Sequence, residues 1–219
     1  AQFIEFLARY TVATRINLLA YSSGCRTVGG ALNLLGKRIQ DPSILRLGHV
    51  YLAQSDQPIS EFFSELPLYF DLLEAMTVTA ARGDRVLRLA GMTDGQTRLG
   101  AISERSGARL DLSPDIAARV AKILNSERMV IIDLSDVPAV EYRLTHDAWY
   151  DSPWVSTDVM LTLLGNLNVR QRALEPVKVT GATVWRFPPD YIERLNANIS
   201  QWRREQEQNS RTEQAEDSL

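Results

Sequence analysis

Six cations fall between residues 98 and 128: Arg98, Arg105, Arg109, Arg119, Lys122 and Arg128. Four carboxylates, Glu104, Asp111, Asp115 and Glu127, share the stretch. Guanidinium and ammonium groups spaced along a helix can meet phosphate oxygens and guanine edges of duplex DNA. The clearest helix here is "SPDIAARVAKILNSE", residues 113–127, the expected reader of duplex DNA. Ser at the N-cap followed by Pro at the first helical position is a specific start signal. Ile116, Val120, Ile123 and Leu124 form an apolar stripe, and Asp115, Arg119, Lys122 and Ser126 fall on the opposite side. The expected DNA-reading surface is therefore Arg98, Arg105, Arg109, Ser113, Asp115, Arg119, Lys122 and Ser126. Ser113 and the helix N-terminus would donate to a phosphate.

Other reactive residues are sparse. His49 and His146 are the only histidines. Either could be imagined in a metal site or a Ser-His-Asp triad. His49 lies in apolar "RLGHVYL" and reads as a core histidine. His146, in "LTHDAW", reads as a loop or cap residue. The single cysteine, Cys25, rules out an intramolecular disulfide and a four-cysteine zinc site. "GGALNLLGKR" at 29–38 lacks the spacing of a phosphate-binding loop. "LLAYSSGC" before Cys25 suggests a lipoprotein cleavage site, but Arg15 and Asn17 interrupt the apolar segment such a signal needs. No enzymatic activity, cofactor or metal is expected.

The elements that must position these residues are read mainly as helices. Residues 2–21 read as one broad amphipathic helix, 28–39 as a second and 59–66 as a short third. Residues 45–54 fit helix or strand. Residues 68–89 carry helical spacing. "MVIIDL" (129–134) and "AVEYRL" (139–144) read as a hairpin, and 177–179 with 183–187 as another. Asp190 and Glu193 resemble a capping box. Ile192, Leu195, Ile199 and Trp202 follow at 3-4-3 spacing. That stripe either docks on its own domain or forms a homodimer interface. No apolar run is long enough to cross a membrane.

The order helix, short helix, capped helix, hairpin over 68–146 resembles the winged helix-turn-helix superfamily of bacterial repressors. "LGAISERSG" matches its positioning helix, "SPDIAARVAKILNSERMV" its recognition helix and "IIDLSDVPAVEYRLTHDA" its wing. The resemblance implies a mainly α fold with small β-hairpins: a winged helix-turn-helix core with flanking helices. It divides the chain into an N-terminal helical region (1–67), a winged-helix domain (68–150), a C-terminal helix–hairpin–helix region (151–206) and a disordered tail (207–219). It implies a cytoplasmic, nucleoid-associated regulator or replication or partition factor whose partner is duplex DNA. The alternative is a non-catalytic winged-helix subunit that binds protein partners. The net charge of −3 and the acidic wing tip "SDVP" favour that alternative.

Overall fold

The computed structural model describes residues 1–101, 110–137, 145–179 and 182–216, with side chains up to 208. Six strands form one sheet in the order β1-β2-β3-β4-β6-β5. They are β1 (Ile16–Tyr21), β2 (Leu47–Ala53), β3 (Leu73–Ala80), β4 (Met129–Asp133), β5 (Glu175–Val179) and β6 (Ala182–Arg186). β1 to β4 run parallel in sequence order, β6 joins β4 parallel, and β5 turns back antiparallel on β6. The helices are α1 (Gln2–Tyr10), α2 (Gly24–Arg38), α3 (Ile59–Tyr69), α4 (Arg85–Asp94), α5 (Pro114–Leu124), α6 (Ala148–Asp151), α7 (Pro153–Leu163) and α8 (Tyr191–Glu216).

This is a mixed α/β fold with a largely parallel sheet, not a mainly α winged helix. Two expected helices and the expected wing fail. The helix over 2–21 stops at Tyr10, and Ile16–Tyr21 is a strand paired to β2. Residues 68–89 contain the strand Leu73–Ala80. "MVIID" forms no wing: it lies inside the sheet between β3 and β6. Its supposed partner strand, 139–144, lies outside the described residues. The physical reason is plainest at β2 and β3. Parallel strands covered on both faces lose the alternation of apolar and polar residues. Every residue of β2 is buried, and so are the last five of β3.

Successive β2 residues feed opposite layers. Leu47, Val50 and Leu52 join a core with Leu32 and Leu35 of α2, Phe62 and Leu66 of α3 and Val120 of α5. Tyr51 and Ala53 pack on the other face with Val159 of α7. Ile116, Ile123 and Leu124 also pack on the first core, so the apolar stripe of α5 is real. It serves a crossover helix between β3 and β4. Trp185, Phe187, Tyr191 and Leu195 form another core around the β5–β6 hairpin and α8, with the Phe187 and Tyr191 rings 4.8 Å apart, edge to face. The boundaries expected at 67/68 and 150/151 fall inside α3 and α6, and the tail expected from 207 begins within α8.

One ion pair fastens the C-terminal half beneath β2. Arg172 is 1% exposed and Asp158 fully buried. Arg172 Nη1 reaches both Asp158 carboxylate oxygens at 2.9 and 2.8 Å and Thr162 Oγ1 at 2.7 Å. The Tyr51 hydroxyl donates to Asp158 Oδ2 at 3.0 Å. Thr162 and Tyr51 meet part of what burial of the pair leaves open, while Arg172 Nε is buried without a hydrogen-bond partner.

Candidate active site

β1 ends at Tyr21 and α2 begins at Gly24, leaving Ser22 and Ser23 as the whole connection. Ser22 has φ +52°, in the left-handed region that non-glycine residues rarely occupy. Its main chain is held on both sides. Ser22 N–H donates to Ala53 O at 3.0 Å, and Ser22 C=O accepts from Cys25 N at 3.1 Å and Asp56 N at 3.2 Å. Such over-determination is what lets a strained residue persist. The turn lifts the Ser22 hydroxyl off the end of the sheet, beside the N-terminus of a 15-residue helix.

Two more side chains converge on that hydroxyl. His146 Nε2 lies 3.0 Å from Ser22 Oγ, and His146 Nδ1 lies 2.8 Å from Asp84 Oδ2. Asp84 follows β3 and is fully buried; His146 is 8% exposed. Asp84 Oδ1 also caps α4 by accepting from Leu87 N at 2.9 Å. A carboxylate on Nδ1 selects the tautomer protonated there and leaves Nε2 to accept the serine proton. The Cys25 and Arg26 N–H groups are already bonded, to Ser22 O and Ser23 O at 3.1 Å each, so the Ser23 N–H, at the positive end of the α2 dipole, is the donor next to the hydroxyl. The arrangement can therefore raise a serine alkoxide and receive an oxyanion beside it.

The neighbouring loop supports the turn. Gln54 is itself left-handed, with φ +43°, and its N–H and side-chain amide both donate to Thr79 Oγ1, at 3.1 and 3.0 Å. Gly100 N–H donates to Ser55 O and Ala81 N–H to Gly100 O, both at 2.9 Å. Cys25 does not compete as a nucleophile: burial pushes its thiol up to about 12. His49 is a core histidine, 6% exposed and 2.8 Å from Thr77 Oγ1. Among the described residues no group of three or more His, Cys, Asp or Glu could hold a metal ion.

The residues expected to read DNA are scattered. Arg98 is 3% exposed, paired with Asp56 at 3.1 Å and Asp94 at 2.7 Å. Arg105 and Arg109 lie outside the described residues. Ser113, Asp115, Arg119 and Lys122 are exposed on α5, where Ser113 caps the helix and Arg119 donates to Pro67 O at 2.6 Å. Ser126 is half-buried and bonds Ile123 O at 2.7 Å. Of the expected interface residues, Leu195 is buried within its own chain and Ile199 packs on the same cluster. Ile192 is exposed and Trp202 half-buried.

Sequence reasoning missed Ser22 and Asp84 and misplaced His146. The available signal was "AYSSG": Ala20-x-Ser22-x-Gly24 departs from the strand–turn–helix pattern G-x-S-x-G only at its first position. The chain order Ser22, Asp84, His146 is also the order that pattern carries.

A family model described as "Alpha/beta hydrolase of unknown function (DUF900)" matches residues 1–166. No curated protein and no solved structure matches the chain. The family match overturns the winged helix-turn-helix resemblance. With it fall the DNA-binding regulator, the alternative of a winged-helix subunit and the expectation of a non-enzyme. No helix among the described residues is long and apolar enough to cross a membrane, which agrees with the sequence; nothing supports association with a nucleoid.

Proposed function

Because this chain belongs to the α/β hydrolase family of unknown function, DUF900, we propose that it is a serine hydrolase acting on carboxylic esters through Ser22, His146 and Asp84. The observation that carries the reading is the hydrogen-bonded chain Ser22–His146–Asp84, at 3.0 and 2.8 Å, on a left-handed strand-to-helix turn. His146 Nε2 takes the Ser22 proton as Oγ attacks the acyl carbon. The resulting oxyanion is stabilised by the N–H of Ser23, the residue after the nucleophile, and by the α2 N-terminus. Asp84 holds the ring and stabilises the imidazolium without taking the proton. Collapse of the tetrahedral intermediate passes that proton to the leaving alkoxide and leaves an acyl group on Ser22. Water, deprotonated by His146, then releases the acid and regenerates the hydroxyl.

The test is covalent. A fluorophosphonate probe is expected to add to Ser22, read by peptide mass spectrometry, and p-nitrophenyl acetate to be hydrolysed by the wild type. Ser22→Ala is expected to lose both. Label on another serine, or turnover surviving in Ser22→Ala, would overturn the reading.

A further inference from the structure

A second hydrogen bond runs beside the Ser22–His146 bond. Tyr21, the residue before Ser22, donates its hydroxyl to Asp147 Oδ1 at 2.6 Å, and Asp147 is the residue after His146. Two consecutive residues of the β1 turn thus hold two consecutive residues of the segment that delivers the base. The bond joins positions 126 residues apart in the chain. The Tyr21 ring also packs on the His146 ring, with centroids 5.1 Å apart, and on Trp149 at 5.6 Å. Burial, then the bond to Asp147, raises the Tyr21 phenol well above its ordinary range, so it remains a donor wherever the enzyme is folded.

We propose that the Tyr21–Asp147 bond is a positioning clamp that fixes the distance between Ser22 Oγ and His146 Nε2. Asp84 sets the orientation of the imidazole through Nδ1 but does not touch the serine. The clamp fixes the main chain of the base relative to the main chain of the nucleophile. Neither Tyr21 nor Asp147 takes or gives a proton in the reaction. The proposal rests on the serine-hydrolase reading, and its test separates the two.

Tyr21→Phe keeps the ring packing and removes the donor. With p-nitrophenyl acetate, and active sites counted by fluorophosphonate titration, kcat is expected to fall about 10- to 100-fold while KM stays within about twofold. Asp147→Ala is expected to match that loss. Asp147→Asn, which still accepts from the phenol, is expected to recover most of it. The double variant Tyr21→Phe/Asp147→Ala is expected to lose no more than either single one, the signature of a shared interaction. Additive losses, or a wild-type kcat in Tyr21→Phe, would overturn the clamp. A readout independent of turnover is the side-chain NMR signal of His146. In Tyr21→Phe its ring signals are expected to broaden and shift, and unchanged signals refute the clamp whether or not the ester is hydrolysed. Should the wild type show neither labelling nor turnover, while the His146 signals still respond to Tyr21→Phe, the hydrolase reading fails and the structural clamp stands.

Discussion

Asp84 divides its carboxylate between two tasks: Oδ2 lies 2.8 Å from His146 Nδ1, and Oδ1 accepts the Leu87 N–H at 2.9 Å. One buried side chain thereby joins the base to the start of α4.

The two tasks separate by substitution. Asparagine is as good an N-cap as aspartate. Asp84→Asn is therefore expected to keep the α4 cap and most of the stability while kcat drops about 10³- to 10⁴-fold, because the charge that selects the His146 tautomer is gone. Asp84→Ala is expected to lose the same activity and, in addition, about 1 kcal/mol of stability from the missing cap. Steady-state kinetics paired with urea denaturation read both. Equal stability in the two variants would show that the cap contributes nothing.

His49 makes stability depend on pH. Burial, then the charges of Arg172 and Arg15, hold its imidazole down to about 3. In the unfolded chain the same ring titrates near about 6.5. Between those values the unfolded state binds the extra proton and the folded state does not. The stabilisation is thus full above about pH 6.5 and drains as pH falls, at up to about 1.4 kcal/mol per pH unit. Denaturation midpoints measured from pH 7 to pH 4 are expected to fall. His49→Gln, neutral throughout, is expected to flatten the slope. An equally steep slope in that variant would assign it to carboxylates instead.

Gly100 occupies space that no side chain can share. A Cβ there would lie 2.6 Å from Gln54 C and 2.6 Å from Ser55 N, main-chain atoms of the loop whose Asp56 N–H holds Ser22 O. Gly100→Ala is expected to cost about 1–3 kcal/mol by overpacking. Through the displaced loop it is also expected to lower ester turnover about 10- to 100-fold. Full activity in the folded variant would show that the loop moves without disturbing the turn.

What was legible in the sequence was local. Ser113 and Pro114 announced the start of α5, and its stripe of Ile116, Val120, Ile123 and Leu124 does face a core. The β5–β6 hairpin was readable for the same reason: it depends on residues close in the chain. "LEAMTVTA" was not, because a strand buried on both faces carries no period of two and is easily taken for helix. Reading β3 as helix and β4 as a wing strand turned a crossover helix into a recognition helix. The site was less legible still. Ala20 hides the first position of the turn motif, and Asp84 and His146 meet Ser22 only once the parallel strands are in register, across 62 and 124 residues.

Arg172 lies beyond the last family-matched residue, 166, yet it is the counter-ion of an aspartate inside the matched region. The unmatched stretch is consequently no appendage. Cutting the protein at the family boundary would strand a naked anion in its interior, with no cation left to meet it. The edge of kinship is thus not an edge of the fold: charge balance in the interior ties residues past 166 to those before it.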